Sequence, residues 1–323
     1  IFSVFAESKM PRAAAGFDKN GLITKILPAV GFGLIEIGSV TGEPCAGNPG
    51  KRLWRLPKSK SLIVYYGLMN NGGKEVAERL KTQILNSTPH LPIGISLAKT
   101  NNQETITTEA GIADYLKAYK AFLKTKVGDY FTINISCPNT FGGEPFIAPE
   151  KLEQLLKEFS LLRDQRPLLI KLPPDLSEEN LDIIIELSNK YKINGFISTN
   201  LTKDRNNQQI KNKTKEPLPT DKGGLSGKIV EELATKQISY IYKKLNPLTG
   251  GLPKSERPII IGCGGIFTAE DAYNKIKAGA SLLQLITGMI FEGPQVISEI
   301  NQGLAELLKK DGYKNISEAI GQA

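Results

Sequence analysis

The 323-residue sequence predicts a (β/α)8 barrel, an α/β fold, on three observations. Short apolar, β-branched runs alternate with stretches of helical period along the whole chain. The runs are apolar throughout rather than every second residue, the pattern of parallel strands covered on both faces. No linker or composition shift interrupts the series, so residues 1–323 are read as one domain. A doubly wound sheet is the second architecture with this pattern, and the unbroken series favours the barrel.

In order, the first strand is residues 12–15, the weakest of the eight, ahead of Gly16. Seven further strands are expected at 34–37, 92–97, 130–135, 168–172, 195–198, 259–262 and 281–285. Helices are expected at 22–30, 73–85, 110–124, 149–162, 177–190, 227–245, 268–278 and 294–310. Ser177-Glu-Glu-Asn and Thr268-Ala-Glu-Asp each set a capping hydroxyl before acids of the first turn. Two connections, 41–71 and 202–224, are long and leave the C-terminal ends of strands. That face carries the active site in barrels, and such loops cover it.

Lys and Arg total 41 against 33 Asp and Glu, a net charge of +8, with 40% hydrophobic and 23% charged residues. This excludes collagen, coiled coil and disorder. Stretches free of polar side chains, such as 26–35 and 258–267, reach about half of the roughly 20 residues a membrane helix needs. Cys45, Cys137 and Cys263 are too few and too scattered for a disulfide framework. A single histidine, His90, leaves neither a histidine metal site nor a Ser-His-Asp triad, and no metal is expected. Lys203, Arg205, Lys211, Lys213, Lys215 and Lys222 crowd one polar segment against Asp204, Glu216 and Asp221. Without interleaved aromatics this reads as a solvated loop, and no nucleic-acid partner is expected.

The chemistry gathers at strand ends. Gly262-Cys-Gly264-Gly265 and Thr287-Gly288 are glycine turns after the seventh and eighth strands, where barrel enzymes bind phosphate through bare backbone N–H groups. Gly223-Gly-Leu-Ser226-Gly227 adds a third set of amides. Asn134-Ile-Ser-Cys137-Pro-Asn139 places a thiol between two amides suited to a planar, amide-rich ligand. Lys19 and Lys171 stand at strand ends, where burial of an ammonium calls for an anion or an electron-rich ring. Cys263 is read as a buried structural thiol and Cys45 is left unassigned.

Taken together, Gly16-Phe-Asp-Lys-Asn-Gly, Gly47-Asn-Pro-Gly-Lys-Arg-Leu-Trp-Arg-Leu-Pro, Asn134-Ile-Ser-Cys-Pro-Asn-Thr, Lys222-Gly-Gly-Leu-Ser-Gly and Ala278-Gly-Ala-Ser-Leu-Leu-Gln-Leu-Ile-Thr-Gly resemble the dihydroorotate dehydrogenases. The likeness runs from about residue 13 to 305, and most motifs are spelled as in the quinone-reducing, membrane-associated class 2 branch. It implies an FMN-binding barrel that oxidises dihydroorotate to orotate in pyrimidine biosynthesis. On matching positions, Ala15, Gly16 and Ser39 would line the flavin ring and Lys171 would meet its reactive end. Ser226, Gly227, Gly264, Gly265, Thr287 and Gly288 would complete the FMN site, its phosphate held by the last four. Lys19, Asn134, Asn139 and Asn200 would grip the substrate. Cys137 would remove the C5 proton while hydride leaves C6 for flavin N5.

The sequence also departs from class 2. Cys137 stands where class 2 carries serine and class 1 carries cysteine, and a thiol near 8.5 is the easier base. Val64 and Leu68 replace a substrate-loop asparagine and phenylalanine, and Leu201 replaces a hydroxyl residue. A lost polar partner costs about 1–3 kcal/mol unless replaced, which Asn70 or Tyr65 could do. Class 2 members also carry an N-terminal helical pair that forms a quinone tunnel on the membrane. Residues 1–12 are read as the remnant of such an extension, with the protein cytoplasmic or peripheral on the inner face of a membrane. The acceptor is expected to be a quinone, with fumarate or NAD as alternatives, and the oligomeric state is left open. Two other functions compete: an FMN reductase of another dihydropyrimidine or of dihydrouridine in tRNA, and a catalytically silent flavin-binding barrel.

Overall fold

The computed structural model describes residues 11–85, 91–136, 145–247, 253 and 257–323. Its main elements are β1 (Arg12–Ala13), α1 (Leu27–Val30), β2 (Ile35–Val40), β3 (Leu53–Leu56), β4 (Ser61–Val64), α2 (Gly73–Leu85), β5 (Ile93–Leu97), α3 (Thr108–Thr125), β6 (Tyr130–Asn134), α4 (Pro149–Leu162) and β7 (Leu168–Leu172). There follow α5 (Glu178–Lys190), β8 (Gly195–Ser198), α6 (Gln208–Lys213), β9 (Gly224–Gly227), α7 (Glu231–Leu245), β10 (Ile259–Cys263), α8 (Ala269–Lys277), β11 (Leu282–Leu285), α9 (Thr287–Glu292), α10 (Val296–Lys310) and α11 (Ile316–Ala319). Eight parallel strands close into a barrel in the order β1-β11-β10-β8-β7-β6-β5-β2, the predicted (β/α)8 architecture.

Strand alternation sorts side chains between the lumen and the helical layer. Leu34, Tyr130, Leu169, Ile197, Ile259, Ile261 and Leu282 pack together as the apolar lumen. Alternate residues such as Phe131, Ile170, Phe196 and Ile260 pack outward with the helices. Two residues beyond Thr132, Leu169 and Ile261 on the lumen face come Asn134, Lys171 and Cys263, at the top of the barrel. Partway up lies a buried polar layer, in which Glu36 Oε2 accepts from Tyr130 Oη (2.9 Å), Thr132 Oγ1 (3.0 Å) and Gln284 Nε2 (3.2 Å). Arg12, fully buried on β1 opposite Gln284, has its guanidinium pushed down to about 10 by burial, against the pull of Tyr130.

The caps predicted from sequence form. Ser177 accepts from the Asn180 N–H, and Thr268 with Asp271 makes a reciprocal capping box. Pro149 opens α4 within its first turn, where a missing N–H costs nothing. Three expectations are corrected. The helix expected from residue 22 starts at Leu27, because the Asp18 carboxylate takes the N–H groups of Leu22 and Ile23 and winds that segment into a turn. The helix expected from residue 227 starts at Glu231, because Gly224–Gly227 is a strand followed by a 3-10 turn, Lys228–Val230. The last connection holds two helices, α9 before Gly293 and α10 after Pro294.

The first long connection is also structured. β3 and β4 form a hairpin, and β4 pairs with β9 from the second, giving an antiparallel three-stranded sheet. One face of it buries Leu56, Ile63, Leu225, Ile210, Ile229 and Val230, with Trp54 against them. From the other, Leu53, Leu62 and Val64 reach the cavity at the top of the barrel.

Candidate active site

That cavity, about 330 Å³, is bounded by the barrel top below and the three-stranded sheet above. Its wall includes Ala15, Gly16, Lys19, Ser39, Asn134, Lys171, Asn200, Ser226, Gly227, Gly264, Gly265, Thr287 and Gly288, so thirteen residues proposed from sequence meet in one place. They come from strands β2, β6, β7 and β9 and from the segments that follow β1, β8, β10 and β11, a convergence that only barrel closure produces. Cys137 and Asn139 lie outside the described residues, as does His90.

At one end the amides form a chain of hydrogen bonds. Asn134 Nδ2 donates to Ser39 Oγ (2.8 Å), which lies 2.7 Å from Ser96 Oγ. Asn134 Oδ1 accepts from the Ser136 N–H (3.1 Å) and Ser136 Oγ (2.8 Å). Asn200 Nδ2 donates to Ser136 O and Oγ, both at 2.9 Å. Buried Ser136, not singled out from sequence, thus locks both asparagine side chains. Lys19 faces the same space, its Nζ donating to Gly16 O (2.7 Å) and lying 4.1 Å from the Tyr66 ring centroid. Burial pulls the Lys19 ammonium below the usual lysine range, partly offset by Asp18.

At the other end the wall is glycine and hydroxyl. Ser226 and Thr287 hydroxyls lie 3.0 Å apart. Gly264 and Gly265 take φ of +109° and +76°, the left-handed region, and a Cβ on Gly265 would meet Glu231 Cβ at 2.5 Å. Between the two ends stands Lys171, 4% exposed, whose ammonium makes no hydrogen bond or ion pair among the described residues.

Two placements differ from expectation. Asn70 is absent from the cavity wall, because its side-chain amide is committed within its own loop. It accepts from the N–H groups of Thr41 (3.2 Å) and Gly72 (2.7 Å) and donates to Thr41 Oγ1 (2.7 Å) and Leu68 O (2.8 Å). Cys263 is not sequestered in the core. It is half-buried in the cavity wall, with its thiol pushed up by burial and held back by Lys171. Val64, Leu68, Met69 and Leu201 also line the cavity and make part of its wall apolar.

The family model described as "Dihydroorotate dehydrogenase" matches residues 10–308. A protein of Haloarcula marismortui named "Dihydroorotate dehydrogenase (quinone)" is 38% identical over 310 residues, 95% of this chain and 81% of that one. A protein of the same name from Crocosphaera subtropica is 40% identical over 311 residues, 95% of this chain and 78% of that one. Among solved structures, ligand-free DHODH from Eimeria tenella superposes with a TM-score of 0.83 at 27% identity, covering 97% of this chain and 88% of that one.

Proposed function

The chain belongs to the dihydroorotate dehydrogenase family, and from that premise we propose that it oxidises (S)-dihydroorotate to orotate in pyrimidine biosynthesis and delivers the electrons to a quinone. The observation that carries this reading is the convergence of Lys19, Asn134 and Asn200 on one end of a cavity whose other end is a bare-backbone cradle.

The residues present fit FMN. Its phosphate matches the cradle of Gly264, Gly265, Thr287 and Gly288, where a Cβ on Gly265 or Gly288 would collide with the protein itself. Ser226 and Gly227 extend the cradle, and Ala15, Gly16 and Ser39 offer small side chains against which a flat ring can lie. Lys171 is a buried cation with no anionic partner among the described residues, and an electron-rich ring edge would satisfy it. When bound, FMN supplies the hydride acceptor, at N5.

The chain's own residues hold and deprotonate the substrate. Lys19 pairs with its carboxylate, and Asn134 and Asn200, with Asn139, bond the pyrimidine edge. Asn134 and Asn200 are fixed by Ser136 before any substrate enters, so little side-chain freedom is lost on binding. Cys137, next in the chain after Ser136, takes the C5 proton while hydride leaves C6, which yields the C5=C6 double bond of orotate. A second reading, oxidation or reduction of another dihydropyrimidine, draws on the apolar stretch of Val64, Leu68 and Leu201.

The test is anaerobic mixing of the flavin-loaded protein with L-dihydroorotate while flavin absorbance is followed. Bleaching is expected, followed by reoxidation on adding a quinone. Cys137→Ala should keep its flavin and lose most of the bleaching, and Lys171→Ala should lose flavin. A wild-type flavin that stays oxidised would overturn the reading and move the other dihydropyrimidines ahead. Full bleaching in Cys137→Ala would remove the thiol from the chemistry.

A further inference from the structure

The charge of this chain is concentrated in two places. Residues 51–60, Lys-Arg-Leu-Trp-Arg-Leu-Pro-Lys-Ser-Lys, hold five basic residues and no acid, and residues 203–222 hold six against three acids. Between them the two segments carry the whole +8 excess, and the remainder of the chain is electrically balanced. In the fold they are neighbours. The first is the β3–β4 hairpin, whose tip is stitched to the second by Ser59, its N–H donating to Glu216 Oε1 (3.0 Å) and its hydroxyl accepting from the Lys215 N–H (2.9 Å).

Two of these cations are neutralised locally, Lys60 by Glu292 (2.7 Å) and Lys213 by Glu232 (2.8 Å). Lys51, Lys58, Lys211, Lys215 and Lys222 are exposed and enter none of the ion pairs among the described residues. Structural charge networks alternate signs, whereas a one-sided field of this kind draws an extended anionic surface.

The patch also sits at the rim of the cavity. Leu53 of the hairpin and Ile290 of α9 both line it, and the Arg55 guanidinium lies 4.5 Å from the ring centroid of Phe291 beside Ile290. Trp54 of the hairpin is half-buried, with Lys51 Nζ 5.6 Å from its ring centroid, and a partly exposed indole beside a lysine suits the headgroup level of a bilayer. Resting on the quinone reading above, we propose that the β3–β4 hairpin and the loop beside it are a docking surface for anionic phospholipid bilayers. It holds the cavity rim against the phase in which a lipid-soluble acceptor is dissolved. The attraction is electrostatic, with no membrane-crossing helix among the described residues, so it weakens with salt.

Flotation with vesicles of phosphatidylcholine alone, and of phosphatidylcholine mixed with phosphatidylglycerol, tests this on the flavin-loaded full chain. The wild type should bind the mixed vesicles at least about tenfold more tightly than the neutral ones, and release as salt rises. Lys58→Glu with Lys215→Glu should lose at least about tenfold of that binding. Neither residue lines the cavity, so dihydroorotate oxidation with a water-soluble dye should be unchanged. Equal binding to both vesicles, no binding to either, or full retention by the double variant would overturn the proposal. Retention on single-stranded RNA without vesicle binding would assign the patch to another polyanion and also overturn it. Dye reduction without vesicle binding would sink the docking surface alone, and vesicle binding without dye reduction would sink the oxidase reading alone.

Discussion

Lys171 and Lys275 show how the same side chain, equally buried, has opposite meanings. Lys171 opens on the cavity and makes no hydrogen bond or ion pair among the described residues, whereas Lys275 is fully buried and donates hydrogen bonds to Glu231 O (3.2 Å) and Thr235 Oγ1 (3.0 Å). Burial pulls the Lys275 ammonium from 10.5 down to about 8, against the opposing pull of Glu231. The folded value lies below the unfolded one, so as pH falls the unfolded chain takes up the proton first. Stability is therefore reduced below about pH 8 and recovers as pH rises toward 10.5. Lys275→Met should then be more stable than wild type at neutral pH, by on the order of 1–3 kcal/mol, with the advantage fading by the upper end of that range. Denaturant unfolding of both proteins across the range measures it, and a difference independent of pH would refute it. The placement of Lys171 in the cavity wall was legible because it stands near the end of an apolar strand, on the face where barrels keep their chemistry. Asn70 was misplaced for the opposite reason: whether an amide faces a ligand or its own loop depends on how that loop closes, which residue type does not encode.

Elements followed the sequence where their signals are local. Residues 149–162 form a helix with the expected bounds, since proline and the apolar period mark both the start and the buried face. The three-stranded sheet was not legible, because β4 finds its partner β9 about 160 residues away, and Gly224-Leu-Ser-Gly227 has no strand propensity of its own. Its strands approach closely. Gly227 takes φ +99°, and a Cβ there would meet Lys60 O at 2.5 Å and Ser61 Cα at 2.8 Å. Backbone cannot yield as a flexible side chain can, so Gly227→Ala should pry β9 from the hairpin at about 1–3 kcal/mol. Faster proteolytic cleavage within residues 51–64 and weaker flavin retention are the expected signs, read by limited digestion and absorbance. A variant as resistant and as yellow as wild type would show that the sheet accommodates the methyl group.

At the scale of the molecule, stability and function occupy different layers. The apolar lumen and the outer helical layer close the barrel without help from the cavity, whose wall includes the three-stranded sheet and the glycine turns. A flavin bound there adds stability by mass action and does not create the fold. Protein stripped of flavin should therefore keep its helical circular dichroism and melt cooperatively, but at a lower temperature. With flavin at about a hundred times its dissociation constant the added stability is about 2.7 kcal/mol, or several degrees for a chain of this size. The gain should climb with the logarithm of added FMN, and it should shrink in Lys171→Ala, whose buried cation is the ring's proposed partner. A stripped protein without cooperative melting would mean that the flavin is part of the core, and the separation of layers inferred from the packing would be wrong.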